Sequence, residues 1–561
     1  MTPSHYKLDP ADISRSTSKP SLFPNPAHKT ELFRQRYHIV HQRILRNETF
    51  QTPTFSATRS ATLGRTGSIA TSQANTITPI ANLLGRTGST HLLLGMLVVS
   101  PTGALSLSDL TGTILLDIQH AHPIPETGAY FAPGMIVLVD GSYEEDNGFG
   151  SSNLGGTGGI GGTIGGKFLA FSVGHPPCER RTATLGGTDE TDKSSLQGPA
   201  FGWTDFLGVG SQRATGSRMN RIASNLLTST APHNIVIASD LHLDTPSTLS
   251  ALRTLLRAYS PSQTNPNPIY PLAIVLMGNF SSKATLAGVP GAGSIEYKEH
   301  FDALASVLSE YQPLIAHTSL VFVPGDNDAW PSAFSAGAAT PLPRKPVPAL
   351  FTSRIRRAVA EANREIWGGG RAKGKEGEVI WTSNPSRLSW FGVKGEMAII
   401  RDDLLGRLHR SSIRFPKPQP DDEADDEMPF APTHDLNEAM DLDQPAPQPV
   451  QPHPEPTVDV ATQTARALTR TILSQSHLSP FPLSARPLHW DYAHAMGLYP
   501  LPSAVVMADA EAPPFVVKYC GCTVLNPGSL DASRGSKGRE GRARWVEFDI
   551  RTSAGVVRGE G

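Results

Sequence analysis

Asp240 and His242 are the residues whose types and spacing most directly indicate chemistry. They end the stretch 235–243, whose apolar run predicts a buried strand. A carboxylate and an imidazole placed beyond a strand end point into the crevice where ligands collect in α/β folds. Both groups are common ligands in metal-assisted hydrolysis. We therefore treat this strand as the element around which the chain is organised.

The elements that follow Asp240 alternate between strand and helix patterns. Apolar runs predict two further strands, each ending in a polar loop, at Gly278-Asn279 and at Gly325-Asp326-Asn327. Residues 248–259 have helical spacing and lie between the opening strand and the second strand. Residues 297–311 also have helical spacing and lie between the second and third strands. The order strand, helix, strand predicts βαβ units and a largely parallel sheet.

The Asp-x-His pattern resembles the opening of the two-metal site of calcineurin-like metallophosphoesterases. That resemblance implies a bridging Asp after the second strand and several histidines from later loops, but Asn279 stands at the bridging position. A neutral amide supplies no anionic charge to hold two dications together. Asn327 replaces the histidine that stabilises the transition state, and residues 508–511 lack both histidines of the final loop.

We interpret these positions as a degenerate metal site with no catalytic residue, no resident metal and no cofactor. Weak cation binding through the oxygens of Asp326, Asp509 and Glu511 stays open as an alternative. The degenerate positions are Asp240, His242, Asn279, Asp326, Asn327, His477, Asp509 and Glu511.

The region before this domain predicts a small β-barrel. Short apolar or alternating runs with turn residues between them fit an OB-fold. The predicted strands hold almost no Lys, Arg or aromatic residues, which single-stranded DNA binding requires. We therefore favour a structural or protein-binding barrel. The runs are 92–99, 105–110, 112–118, 135–143 and 167–173.

A helix is predicted ahead of the barrel, at 31–50. We expect the arginines to lie on the other, solvated face, which is a more common meaning of this pattern than a nucleic-acid-binding helix. The residues at helical spacing are Leu32, Phe33, Tyr37, Val40, His41 and Ile44.

Composition limits the remaining possibilities. The 561 residues include 51 Gly and 48 Pro, which predicts long unstructured insertions, and the net charge of -2 gives no sign of a nucleic-acid or membrane surface. The 3 cysteines, Cys178, Cys520 and Cys522, argue against a disulfide framework. With no secretory signal or membrane span visible in the sequence, we expect a soluble intracellular protein.

The predicted fold class is a multi-domain α+β and α/β chain, an OB-fold β-barrel plus a calcineurin-like β-sandwich flanked by helices. The expected domains are a disordered tail at 1–30, a helix and linker at 31–90, the barrel at 91–178 with a Gly-rich insertion, a connecting segment at 179–233, the phosphoesterase-like domain at 234–550 with a disordered acidic and Pro-rich insertion at 416–463, and a tail at 551–561.

Several motifs together resemble the B-subunit family of replicative DNA polymerases, and in particular the second subunits of DNA polymerase epsilon. The resemblance covers most of residues 31–550, apart from the insertions. The motifs are Phe33-Arg-Gln-Arg-Tyr37, Leu94-Gly-Met96, Gly278-Asn-Phe-Ser-Ser282, Phe322-Val-Pro-Gly325, Thr382-Ser-Asn-Pro385, Thr471-Ile-Leu-Ser-Gln-Ser-His-Leu478 and Leu525-Asn-Pro-Gly-Ser529.

The resemblance implies a non-catalytic scaffold in the nucleus. Its implied partners are the zinc-bearing C-terminal domain of the catalytic polymerase subunit, the other subunits and the replicative helicase. The resemblance also implies that the chain contacts DNA mainly through the complex and does not bind a membrane. Such subunits usually carry a small helical domain ahead of the Phe-Arg-Gln-Arg-Tyr helix. About thirty polar residues precede that helix here, so helicase contacts through such a domain are not assumed.

Two other functions stay open from the sequence. Asp240 and His242 leave an active metal-dependent phosphoesterase or nuclease as the first alternative. The predicted barrel leaves a single-strand DNA-binding protein as the second.

Overall fold

We describe the fold from a computed structural model of the chain. Among the described residues, no helix combines the length and the apolar character that crossing a membrane requires. Most of the expected connecting segment 179–233 and the acidic run 421–427 lie outside the described residues. The described residues are 20–51, 75–125, 128–145, 163–184, 233–263, 266, 268–285, 290–328, 340–368, 376–390, 395–416, 459–532 and 542–560.

Five strands close into a barrel in the first half of the chain. The parallel pairing of the third strand with the sixth completes the ring β1-β5-β6-β3-β2, and the short fourth strand is added beside β6. The barrel confirms the predicted OB-fold, although β6 begins within the expected Gly-rich insertion. The strands are β1 (Thr90–Val99), β2 (Leu105–Ser108), β3 (Thr113–Asp117), β4 (His122–Ile124), β5 (Ile136–Glu144) and β6 (Thr163–Gly174).

The second half of the chain contains two sheets that pack face to face. In the first, β7 to β10 are parallel, as the βαβ pattern predicted, and β16 joins β7 antiparallel. The order of this sheet is β10-β9-β8-β7-β16-β17. Its strands are β7 (Asn234–Ala238), β8 (Ala273–Met277), β9 (Ser319–Val323), β10 (Val379–Trp381), β16 (Ala543–Asp549) and β17 (Ala554–Glu560).

The last strand corrects the prediction of a C-terminal tail. Residues 551–561 were expected to be a tail beyond the domain, but β17 forms the edge of the first sheet by pairing with β16 over its whole length. The second sheet has the order β11-β12-β13-β15-β14. Its strands are β11 (Ser386–Trp390), β12 (Gly395–Arg401), β13 (Ala504–Ala508), β14 (Phe515–Tyr519) and β15 (Cys522–Asn526).

Apolar side chains from the facing sides of the two sheets form one buried core, which makes this domain a β-sandwich. Ile237 and Val275 of the first sheet belong to the same cluster as Ile399 and Val506 of the second. Helices cover the outer faces. The helices are α1 (Ala27–Leu45), α2 (Arg181–Thr184), α3 (Pro246–Ala258), α4 (Ser294–Ser309), α5 (Gln312–His317), α6 (Ala349–Trp367), α7 (Leu404–Ser411) and α8 (Val460–Gln475), with 3-10 turns at Glu48–Phe50, Ile80–Leu83 and Trp490–Met496.

Helix α1 lies between the barrel and the sandwich. It begins at Ala27, so the last residues of the predicted 1–30 tail are helical. Val40 and Ile44 pack with barrel residues, whereas Leu32 belongs to a core cluster of the sandwich. The apolar face is the predicted one, and it joins the two domains.

The expectation that the arginines of α1 lie on a solvated face is wrong for Arg36 and Arg43. Both are buried, with relative exposures of 8% and 3%. Arg36 donates to the carbonyl oxygen of Gly134 in the barrel at 2.9 Å. Arg43 donates to Ser476 and to the carbonyl oxygen of Ser474, at the end of α8. The last carbonyls of a helix lack internal partners and attract cations, which explains why a buried arginine is stable there.

The end of α8 also holds the barrel directly. The side-chain amide of Gln475 accepts from the Ile136 backbone N–H at 2.8 Å and donates to the Ile136 carbonyl at 2.7 Å. Thr471 accepts a hydrogen bond from the backbone N–H of Tyr130 at 2.9 Å. The barrel and the sandwich are therefore joined by hydrogen bonds to backbone groups as well as by apolar contact.

Replacing Arg43 with Ala should destabilise the protein by about 3 kcal/mol, because the buried oxygens it serves would lose their donor. The melting temperature in a thermal unfolding experiment should fall by several degrees. Arg34→Ala, on the same helix but at an exposed position, is the matched control and should change stability by less than about 0.5 kcal/mol. Equal effects of the two substitutions would contradict the assignment of Arg43 to the junction.

Candidate functional site

The crevice lies at the carboxyl ends of the central strands, where the loops after β7, β8 and β9 meet. The second and third loops touch so closely that a Cβ atom on Gly278 would collide with Asp328 Oδ2 and lie 2.6 Å from the Gly325 nitrogen. Glycine is needed at this position because another side chain would separate the two loops. The loops after β8 and β9 are therefore in direct contact at this end of the sheet.

Asp240 and His242 lie together in the crevice, as the sequence predicted. Both are buried, and His242 Nε2 is 3.8 Å from Asp240 Oδ1. Their hydrogen-bond partners are not limited to the loop backbone. Asp240 Oδ1 accepts a hydrogen bond from Arg401 Nη2 at 2.9 Å, and Arg401 also donates to Asp403 at 2.8 Å. A guanidinium therefore lies against the carboxylate that would have bound a metal.

Asp326 is held by arginines in the same way. Arg344 Nη2 and Arg486 Nη2 lie 2.9 Å and 2.8 Å from Asp326 Oδ1. Arg407 is 3.8 Å from Asp326 Oδ2 and pairs with Asp402 at 3.0 Å. Burial alone would raise the pKa of Asp326, but Arg486 and Arg344 outweigh that effect and hold the pKa below its usual value.

We call these eight residues the crevice ion network. Four guanidinium groups face four carboxylates, so the formal charges balance. The network is Arg344, Arg401, Arg407, Arg486, Asp240, Asp326, Asp402 and Asp403.

Asn279 and Asn327 are neighbours, as expected for the bridging and third-loop positions. The Asn279 side-chain oxygen accepts from the Asn327 backbone N–H at 3.0 Å. Asn327 in turn donates its side-chain amide to the carbonyl oxygens of Ser281 and Ser282, at 3.0 Å and 3.1 Å. Both amides thus hold loop backbone together.

The predicted site residues that come later in the chain do not all lie at the crevice. Asp509 accepts from the backbone N–H groups of Leu405 and Glu511, and burial raises its pKa to about 6. Glu511 is exposed and lies against Gly406 of α7. His477 is buried beside Arg36 at the barrel junction, where burial keeps its pKa well below the usual value. Its ring nitrogen accepts from the Ser479 N–H at 3.1 Å, so it is not grouped with Asp240.

The residues of the crevice do not fit a two-metal centre. An amide occupies the bridging position, and the carboxylates of Asp240 and Asp326 already accept from guanidinium groups. A bound dication would have to displace these arginines, which would leave their positive charges buried beside it. Within the described part of the chain, no group of three or more His, Cys, Asp or Glu side chains is arranged to hold a metal ion.

The four arginines, Asp402 and Asp403 were not among the site residues singled out from the sequence. Arg401 could have been found, because it ends the strand β12 just as Asp240 follows the strand β7, and ends of strands meet at the crevice. No local signal marks Arg344, Arg407 or Arg486. Arg344 and Arg486 meet Asp326 only through the tertiary fold, whereas Arg407 pairs locally with Asp402 at the start of α7.

Asp326→Asn should destabilise the protein by about 3–5 kcal/mol, because the positive charges of Arg344 and Arg486 would remain buried without their shared carboxylate. Chemical denaturation should show this loss. The matched control is Glu310→Gln, which removes the partner of Arg253 in an ion pair whose side chains are 45% and 39% exposed. That change should cost less than about 1 kcal/mol. A loss of stability below about 1 kcal/mol for Asp326→Asn would contradict the assignment of Asp326 to the crevice ion network.

Asp328 should give stability a distinctive dependence on pH. Burial raises its pKa to about 6, so the folded state binds this proton more tightly than the unfolded state, whose aspartate titrates near 3.9. The stabilisation is complete below about pH 4 and is lost as the pH rises through about 6.

Asp328→Asn cannot ionise, so its cost relative to the natural protein should shrink by about 2–3 kcal/mol between pH 4 and pH 7. Thermal unfolding at several pH values measures this difference. If the loss of stability caused by Asp328→Asn grew as the pH rose, the folded state would favour the ionised Asp328 carboxylate instead.

Comparison with known proteins gives matches over most of the chain. Residues 235–517 match the family model that describes the B-subunit of DNA polymerases alpha and epsilon. Residues 26–177 match the model described as DNA polymerase epsilon subunit 2-like, OB-fold domain. A solved archaeal phosphodiesterase covers 58% of this chain at 9% identity, with 99% of its own length, but its TM-score of 0.23 is too low to support an argument.

Three relatives, each named as the B-subunit of DNA polymerase epsilon, illustrate the similarity. The Schizosaccharomyces pombe protein is 32% identical over 92% of this chain and 69% of its own length. The Saccharomyces cerevisiae protein is 31% identical over 94% and 68%. The Arabidopsis thaliana protein is 26% identical over 92% and 75%. This chain therefore belongs to the B-subunit family of DNA polymerase epsilon.

Proposed function

We propose that this chain is a non-catalytic accessory subunit of a DNA polymerase epsilon complex and acts as a scaffold for the catalytic subunit. The crevice ion network is the observation that supports the absence of catalysis in this proposal. Hydrolysis by two metals needs carboxylates that are free to bind dications and a water. Asp240 and Asp326 instead accept from arginines at 2.8 to 2.9 Å.

The scaffold role is supported by the family and by the joined domains. Buried arginines and the Gln475 amide hold the barrel on the sandwich, so the two domains can present one continuous surface. We assign the zinc-bearing C-terminal domain of the catalytic subunit as the main partner. Other subunits and the replicative helicase are further partners, and the complex acts in the nucleus. The chain contacts DNA through the complex.

The test is capture of the partner domain by the full chain. When both are co-expressed, the chain should co-purify in equal amounts with the C-terminal region of the catalytic subunit. The control is the same region with its zinc-binding cysteines changed to serine, which should not be captured because structural zinc domains fold only with their metal. A chain that stays alone on size-exclusion chromatography would contradict the scaffold role.

Hydrolysis gives an independent check of the non-catalytic part. The purified chain with Mn²⁺ should cleave a generic phosphodiester no faster than its Asp240→Asn variant. Activity that depends on the metal and disappears in that variant would instead establish the phosphoesterase alternative.

A further inference from the structure

An open cavity of about 430 Å³ lies where the barrel meets the first half of α8. The barrel loop that leads to β5 forms one wall and α8 forms the other, and no residue of the crevice ion network lines it. Cavities of a few hundred cubic ångströms are typical of sites for small ligands. The lining includes Gly128 and Tyr130 from the loop, and Arg466 and Arg470 from the helix.

The charge of this cavity is positive and uncompensated. Arg466 and Arg470 are about one helical turn apart on α8, and both line the cavity. Two like charges at this spacing repel each other. No carboxylate of the described residues lines the cavity, and in that part of the chain neither guanidinium forms an ion pair. An anion that enters the cavity would relieve the repulsion between the two arginines.

Arg470 is held in place from two sides. Its guanidinium carbon lies 5.7 Å from the centroid of the Tyr519 ring, a distance at which the ring attracts a cation. A Cβ atom on Gly128 would lie 3.5 Å from Arg470 Nη1, so the loop backbone lies next to the guanidinium. Gly128 has a φ of 100°, which residues other than glycine rarely adopt. The loop thus reaches Arg470 in a conformation that depends on glycine, whereas Arg466 is exposed.

Tyr130 supplies an aromatic wall, and its backbone is fixed. Its N–H donates to Thr471 of α8 at 2.9 Å, and its carbonyl oxygen accepts from His175 Nε2 at 2.8 Å. Its ring meets the ring of His409 at 61°, with the two centroids 5.7 Å apart. Aromatic rings beside cationic side chains are the means by which proteins hold a base together with its phosphate.

We propose that this cavity binds a phosphorylated nucleoside, with Arg466 and Arg470 on the phosphate and the Tyr130 ring against the base. Each guanidinium donates in a planar fork that matches the oxygens of a phosphate. Two sources supply this chemistry, a free nucleotide and the phosphorylated end of a single nucleic-acid strand. The proposal does not rest on the scaffold role.

The test measures binding to the full chain at low salt by isothermal titration calorimetry. Thymidine 5′-monophosphate should bind at least about tenfold more tightly than thymidine, which lacks the phosphate. Arg466→Gln should weaken the binding of the mononucleotide by about tenfold and leave the melting temperature unchanged, because Arg466 is exposed. Arg354→Gln removes the same charge from an exposed position on α6, so this matched control should bind as the natural protein does.

Substitutions of Tyr130 separate the two halves of the site. Tyr130→Leu should weaken the binding of thymidine 5′-monophosphate but leave the affinity for inorganic phosphate unchanged, because both arginines remain. Tyr130→Phe keeps the ring and should bind the mononucleotide normally. Melting temperatures of the two variants show whether each is folded.

A third arm distinguishes the two sources. A short single strand of thymidines with a 5′-phosphate is compared with the same strand without it and with the mononucleotide. Tighter binding of the phosphorylated strand than of the mononucleotide identifies the strand end as the source. Equal affinities identify the free nucleotide, and either result supports the site.

Three results would overturn the proposal. The first is no binding of the mononucleotide at low salt, where electrostatic attraction is strongest. The second is equal binding by the natural protein and Arg466→Gln. The third is binding that appears only after the carboxylates of the acidic run 421–427 are changed to amides, which would show that the chain's own acidic residues occupy the cavity.

Discussion

Charge compensation in the crevice is the constraint on which the rest of the sandwich depends. A buried carboxylate without a partner costs several kcal/mol, and Asp240, Asp326 and Asp402 are all buried where the strands end. Two dications supply the positive charge in metal-dependent hydrolases. Here arginine supplies it, and arginine keeps its charge at any physiological pH and donates to two carboxylates at once. The positive charge beside these carboxylates therefore comes from the chain itself.

The crevice ion network also fixes how the two sheets lie on each other. Arg401 ends β12 in the second sheet and reaches Asp240 after β7 in the first. The apolar core between the sheets is non-directional and would tolerate small shifts. A hydrogen bond between a guanidinium and a carboxylate requires a particular distance and angle. Apolar packing thus supplies most of the stability, and the ion pairs select one arrangement of the two sheets.

Local patterns in the sequence account for what could be predicted. Strand alternation and apolar runs indicated the barrel and the parallel sheet, because those signals lie within a few residues. Arg43 could not be placed, since helical periodicity does not show that the carbonyls at the end of α8 lie opposite. Arg344 and Arg486 meet Asp326 across distant loops, which no local pattern shows. In β17, Gly555 and Gly559 weaken the strand signal.

His477 was predicted as a metal-site position, but it lies at the junction between the barrel and the sandwich. Its segment ends α8, where Ser476 turns left-handed with a φ of 48°. The residues before it, Thr471 and Gln475, bind barrel backbone, so His477 lies beside Arg36 instead of in the crevice. At both places a residue expected to bind a metal lies beside an arginine instead: Arg401 beside Asp240, and Arg36 beside His477. The carboxylates of the crevice are thus held by arginines of the same chain, which restricts their freedom to bind a cation.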